Sequence, residues 1–262
     1  MIIILVFIIL IIIYKINVVS PFKSNNNIYV VSFAHNCCKK AQDNLEKTSL
    51  EHGATKVFNL NLKTLEAPNN VKKYITDNGR GAGYWLWKSY ALKQVLRYSN
   101  KDDIIIYADS GTYFTKSLND IISFINKYSI LAFKHNGTIY KQNAWTKMNA
   151  VKYFDYDIDK WCQTDGTKQQ IIGSFVGIKN DEKGNFLVDT WLKALTPENS
   201  SLFDDSKSNI PNCKEFQESR HDQQMLSLIL YKYFDNIPFP NYSEDEYGFI
   251  RHQKINGNGR HD

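Results

Sequence analysis

An α/β fold, with a Rossmann-like sheet flanked by helices, is predicted by three features of the sequence. Ile104-Ile105-Ile106-Tyr107-Ala108 is an apolar run without polar interruption, bounded by turn residues, as suits a strand covered on both faces in the manner of parallel sheets. Strand and helix signals alternate from Ile28 to Thr76 at the spacing of βαβ units. The apolar run also ends abruptly in Asp109-Ser110-Gly111, and ligands of open α/β sheets sit beyond the carboxyl ends of the strands. A carboxylate there, followed by a glycine that admits close backbone approach, suits a metal ion or polar ligand. The plainer alternative is that Asp109 caps a turn.

The chain has 262 residues, 43% of them hydrophobic, enough for one large core and one catalytic-sized domain. A net charge of +5 would help to attract an anionic substrate or a membrane surface. The lysines and arginines are scattered, without the basic stripe of a nucleic-acid binder. Met1 to Val19 is almost wholly apolar apart from Lys15 and approaches the ~20 residues of a bilayer span. Lacking a basic n-region and a clear cleavage site, it reads as an uncleaved transmembrane signal-anchor. Its orientation is open. Lys15 and Lys23 argue against a lumenal body, whereas sequons at Asn136, Asn199 and Asn241 favour one. Cys37, Cys38, Cys162 and Cys213 show no zinc-like spacing, and a bridge such as Cys162 to Cys213 is allowed if the body is lumenal.

After a polar linker, Ser20 to Asn27, the folded domain runs from 28 to 262. Ile28 to Phe33 reads as a first strand, followed by a helix from about Cys38 to His52 that Gly53 stops. Val57-Phe58 marks a second strand and Pro68 to Thr76 a helix. Gly79, Gly81 and Gly83 follow helix and turn rather than a strand, which excludes a dinucleotide-binding turn. Tyr84 to Arg97 reads as a helix with Trp85 and Trp87 on apolar faces, and Lys88 near its start could neutralise phosphate. Leu118 to Tyr128 is an amphipathic helix, Ile130 to Phe133 a strand and Asn143 to Phe154 a helix. Asp155, Asp157 and Asp159 lack the calcium-loop glycine and glutamate, and so belong to a solvated loop. Ile171 to Ile178 is a strand interrupted twice by glycine, a mark of close approach by a ligand or backbone. Asp181 to Leu195 is helical, and Thr196 to Glu218 is a loop long enough to suggest an active-site or acceptor role. Ser219 to Leu228 opens a helix with a polar cluster around His221 and Asp222. A short strand at Tyr247 to His252 closes the chain.

Four of these pieces, in this order, resemble the GT-A-fold glycosyltransferases, nearest to the glycogenin-like family 8 and related small bacterial and viral enzymes. Tyr107-Ala108-Asp109-Ser110-Gly111 is similar to the D-x-D strand end, and Ile172-Gly173-Ser174-Phe175-Val176-Gly177 to the glycine-bearing strand. His221-Asp222-Gln223-Gln224-Met225-Leu226-Ser227 resembles the helix that opens with Asp-Gln, and His252 the late metal-binding histidine. GAGYWLWK, from Gly81 to Lys88, is similar to a segment before the D-x-D strand. The resemblance implies a mixed sheet and transfer of a sugar from a nucleotide diphosphate sugar to an acceptor hydroxyl of a glycan or protein-linked glycan. It implies donor contacts from Ala34, His35, Arg80, Trp85, Lys88, Asp109, Ser110, Gly173 and Ser174, with Asp222 and Gln223 beside the reacting sugar. Mn²⁺ or Mg²⁺ on Asp109 and His252 would balance the leaving diphosphate. The second aspartate of D-x-D is replaced by Gly111, which weakens the metal expectation. The alternatives are a non-catalytic carbohydrate-binding membrane protein on the same fold and, last, a phosphohydrolase built on Asp109.

Overall fold

The computed structural model describes residues 26–251. The expected anchor at Met1–Val19, most of the linker, and His252 lie outside the described residues. No helix among the described residues is long and apolar enough to cross a membrane.

The strands β1 (Ile28–Phe33), β2 (Lys56–Leu60), β3 (Ile104–Ala108), β5 (Ile130–Lys134) and β6 (Ile171–Lys179) form a mixed sheet in the order β2-β1-β3-β6-β5. A two-residue strand β4 (Tyr113–Phe114) pairs antiparallel with β7 (Phe249–Ile250) in a small ribbon. The helices are α1 (Lys39–Glu51), α2 (Asn69–Asp77), α3 (Trp87–Tyr98), α4 (Asn119–Tyr128), the short α5 (Gln142–Trp145) and α6 (Met148–Tyr153), α7 (Glu182–Ala194), α8 (His221–Tyr233) and the single turn α9 (Glu244–Tyr247).

The expectation of a buried central strand holds. All five residues of β3 are buried, and its side chains divide by the period of two. Ile105 and Tyr107 join one core with α3, α7 and α8, while Ile104, Ile106 and Ala108 join a second core with α1 and α4. β3 pairs parallel with β1 but antiparallel with β6, where Ala108 faces Phe175. That reversal positions the site, because the beginning of β6, not its end, lies beside the carboxyl end of β3. Asp109 continues the pairing by donating its N–H to the Ser174 carbonyl at 2.9 Å.

Two local expectations shift. The helix expected from Tyr84 begins at Trp87, because residues 81–85 all have positive φ. The helix expected over Asn143–Phe154 is two short ones, broken where Thr146 is extended. There the Lys147 N–H bonds to Gln224 Oε1 at 3.0 Å, and its buried ammonium reaches Asp204 at 3.1 Å. Tertiary polar partners thus override local helix propensity. The Thr196–Glu218 loop is irregular apart from a 3₁₀ turn at Pro197–Leu202. Disulfides join Cys162 to Cys213, whose Cα atoms are 5.7 Å apart, and Cys37 to Cys38.

Candidate active site

The site is built around Lys88. An ammonium in the first turn of a helix opposes the helix dipole, and burying it adds a desolvation cost. Yet Lys88 stands in the first turn of α3 and is 3% exposed. Three acceptors hold it. Its Nζ donates to the Gly173 carbonyl at 2.9 Å, and lies 2.9 Å from Asp222 Oδ2 and 3.5 Å from Asp109 Oδ1. The two acidic residues singled out from distant parts of the sequence therefore converge on one lysine. Burial works against the charge on Lys88, but the Asp109 and Asp222 carboxylates more than offset it and hold the pKa above the usual lysine value.

One ammonium shared by two carboxylates leaves a net negative charge in a dry place, and Asp222 bears the consequence. Burial pushes its carboxyl up to about 6 against the pull of Lys88. Its Oδ2 is the ion-pair partner of Lys88 at 2.9 Å. Asp109 is more open, with its side chain 30% exposed, and its Oδ1 accepts the Tyr107 hydroxyl at 2.5 Å.

Gly173 sets the spacing. A Cβ at this position would lie 3.0 Å from Asp222 Oδ2 and 3.1 Å from Gln223 Cβ, so the missing side chain lets the start of α8 rest closely on β6. The reading of a strand glycine as a point of close approach is met here by the protein's own helix. Gln223 ties the same joint. Its Oε1 accepts from the Gly173 N–H at 3.1 Å and lies 3.3 Å from His135 Nε2, while its Nε2 donates to Gln170 Oε1 at 3.2 Å. The Gln223 amide is occupied in positioning, which separates it in role from Asp222. Burial also lowers the His135 pKa to about 4 against the Gln223 contact, so this imidazole is neutral near pH 7.

Two strained segments meet beside this cluster. Gly81, Ala82, Gly83, Tyr84 and Trp85 follow one another at φ 55, 48, 83, 56 and 60°, a left-handed turn. Three of the five are not glycine, and each such residue costs ~1–2 kcal/mol in this conformation. Gly81 is also required by space, because a Cβ there would collide with the Trp85 indole. His221 opens α8 at φ 52° and stacks on Trp85 with ring centres 5.4 Å apart. Its Nδ1–H donates to the Phe203 carbonyl at 2.7 Å. Strain of this kind persists where surrounding structure over-determines it, and it clusters at functional sites.

The remaining expected residues fall in different places. Ala34 and His35 leave β1 at the same edge of the sheet, since β1 runs parallel to β3 with Val31 beside Tyr107. With Asn36, Asn61, Leu62 and Lys63 they line a cavity of about 420 Å³. Ser174 receives a long 3.5 Å contact from Arg251 Nη1. Ser110 follows Asp109 in the turn after β3. Trp85 is engaged with His221. Arg80 contacts Asp205 at 3.0 Å and Glu218 at 3.4 Å, so its charge is already balanced by the 196–218 loop. Tyr107, His135, Gln170 and Arg251 were missed. For Tyr107 a signal existed, since two residues apart on a strand share a face and Tyr107 precedes Asp109 by two.

Taken alone, the described residues do not make up a divalent-metal site, and His252, the other expected ligand, lies outside them. Hard cations of this kind take about six or more oxygen ligands. Asp222 and Asp109 are already bridged by the Lys88 ammonium, and position 111 offers no carboxylate. No group of three or more His, Cys, Asp or Glu able to hold a metal occurs among the described residues.

No family model and no curated protein sequence matches the chain. Several solved structures resemble it distantly. A glycosyltransferase involved in glycosylation of the major capsid of PBCV-1 is 11% identical with a TM-score of 0.43, over 86% of this chain and 92% of that one. Mouse xyloside xylosyltransferase 1 is 9% identical with a TM-score of 0.44, over 83% and 85%. The glycosyltransferase GlyE of Streptococcus pneumoniae is 12% identical with a TM-score of 0.39, over 85% of this chain but 46% of that one. Similarity at this level assigns no reaction to this chain.

Proposed function

We propose that the chain is a glycosyltransferase that moves a sugar from a nucleoside diphosphate sugar to an acceptor hydroxyl on a glycan or protein-linked glycan. The observation that carries this reading is the meeting of Asp109 and Asp222 on Lys88 at the carboxyl end of β3. The order of motifs that resembles the GT-A enzymes supports it independently. The nucleoside would occupy the cavity at Ala34 and His35, with the diphosphate over Asp109, Ser110 and Ser174 and the sugar toward Asp222. In the reaction the bond from the anomeric carbon to the β-phosphate oxygen breaks, and its electron pair leaves with the diphosphate. The acceptor oxygen takes the new bond. Its proton passes to Asp222 on a back-side path or to the departing phosphate on a front-side path. The Asp222 carboxylate also faces the positive charge that develops at the sugar.

The test is a panel of UDP- and GDP-sugars, read by thermal shift and by release of the nucleoside diphosphate. At least one donor is expected to stabilise the protein and to be consumed. Asp222→Asn should lower turnover at least ~100-fold, within the range for loss of an acid–base or electrostatic group, while binding of nucleoside diphosphate changes little. Sugar binding without nucleotide binding would favour the lectin-like alternative. Within the same reading, Met1–Val19 anchors the domain in a membrane and the domain faces an oxidising lumen. The Cys162–Cys213 bridge supports that placement.

A further inference from the structure

A diphosphate leaving group needs positive charge close to its oxygens, and Arg251 stands beside the turn that carries Asp109. Gly111 replaces the second acidic residue, and a Cβ at 111 would lie 3.4 Å from the Arg251 carbonyl. The main chain of 251 is therefore packed against the turn that carries Asp109. The Arg251 guanidinium turns toward the same edge. Nη1 reaches Ser174 Oγ at 3.5 Å, and the group lies over the Tyr242 ring at 4.3 Å. Ser174 in turn accepts the Asp109 N–H through its carbonyl, at 2.9 Å. Arg251 Nε is buried without a hydrogen-bond partner, and no ion pair with a carboxylate involves Arg251 among the described residues. Arg80 and Arg220, by contrast, both meet acids, as do Lys88 and Lys147.

Resting on the glycosyl-transfer reading, we propose that Arg251 is a diphosphate-binding residue that does the work of a divalent metal ion, so that donor binding needs no metal. A guanidinium presents several N–H groups in a fixed fork that matches phosphate oxygens and stays charged at any working pH. Tyr242 holds it by stacking. Ser174 marks the approach. Lys88 complements it from beneath by offsetting part of the Asp109 charge, which would otherwise repel the incoming phosphates. The charge that leaves with the diphosphate is balanced by a cation already present.

The experiment is calorimetric titration of the full chain with UDP, GDP and inorganic pyrophosphate, first in EDTA and then in Mn²⁺. At least one nucleoside diphosphate should bind, with Kd equal within about twofold in the two buffers. Arg251→Gln should weaken it at least about tenfold in both, and Arg251→Lys should recover part of the loss. The EDTA comparison uses wild-type protein and holds even where a variant folds poorly. Binding that appears only with Mn²⁺, or that Arg251→Gln leaves unchanged, overturns the assignment of Arg251 alone. Failure of wild-type protein to bind any nucleoside diphosphate in either buffer overturns the glycosyl-transfer reading and this one with it.

Discussion

In the proposed reaction Asp222 is the residue on which the chemistry turns, and its environment sets a pH signature. Its carboxyl ionises at about 6 in the folded chain, because burial disfavours the charged form more than Lys88 restores it. If the carboxylate is the working form, turnover rises as pH passes upward through about 6, and the acid limb disappears in Asp222→Asn. A pH–rate profile from 4.5 to 8 reads this directly. The stability consequence has the opposite sign. The unfolded carboxyl releases its proton near its ordinary value of 3.8, before the folded one does at about 6. Stability attributable to Asp222 therefore falls as pH rises across that window, by about 3 kcal/mol in all. Urea titrations at pH 4 and pH 7 should show Asp222→Asn gaining on wild type by an amount of that order. An unchanged difference between the two pH values would mean that Asp222 is not desolvated as described. A residue that weakens the fold at working pH is a mark of a functional position.

At the scale of elements, the decisive joint is β6 against the start of α8. Gly173 allows contact, Gln223 ties the main chains together, and Ser227 continues the seam by accepting the Ile171 N–H at 2.9 Å. Gly173→Ala must displace Asp222 Oδ2 or Gln223 by a few tenths of an ångström. Such a shift should cost about tenfold or more in turnover, because geometry at a reacting centre is steeply selected. The melting temperature should fall by only a few degrees, since the clash is with side-chain atoms and the α8 N-terminus rather than with the sheet. Loss of fold and activity together would show that the joint is structural first. The left-handed turn at 81–85 belongs to the same scale. Periodicity from Tyr84 to Arg97 suggested a continuous helix, whereas the chain spends its first residues reversing direction. Only then can Lys88 enter the first turn of α3 aimed at Gly173. Glycine spacing hinted at an unusual turn, but nothing local announces that Ala82, Tyr84 and Trp85 share its handedness.

For the molecule as a whole, the Cys162–Cys213 bridge links the connection before β6 to the long 196–218 loop across 51 residues. A loop of that length is worth about 2–4 kcal/mol against the unfolded state. Cys162→Ser with Cys213→Ser should lower the melting temperature by roughly 5–15 °C, on the scale for a domain of this size. Reduction of the wild-type protein should do the same, and an equal Tm with and without reductant would mean that the bridge contributes nothing. Because that loop supplies Asp205 and Glu218 to Arg80 and the Phe203 carbonyl to His221, loosening it should also be felt at Trp85 and the α8 N-terminus.

The strands β1, β3 and β6, the helices before and after them, and the two acidic positions Asp109 and Asp222 were legible in the chain itself. Apolar runs, caps and glycine punctuation act over a few residues, so local physics leaves them in the sequence. That Asp109 and Asp222, 113 positions apart in the sequence, share the ammonium of Lys88 was decided only by the antiparallel course of β6. It brings Gly173 beside the end of β3 and carries α8 with it. The same long-range pairing spent Arg80 on the 196–218 loop and left Arg251, unremarked beside His252, on Ser174 and Tyr242. A charge's partner is set by which distant segments the sheet brings within a few ångströms, and no pattern along the chain records that distance.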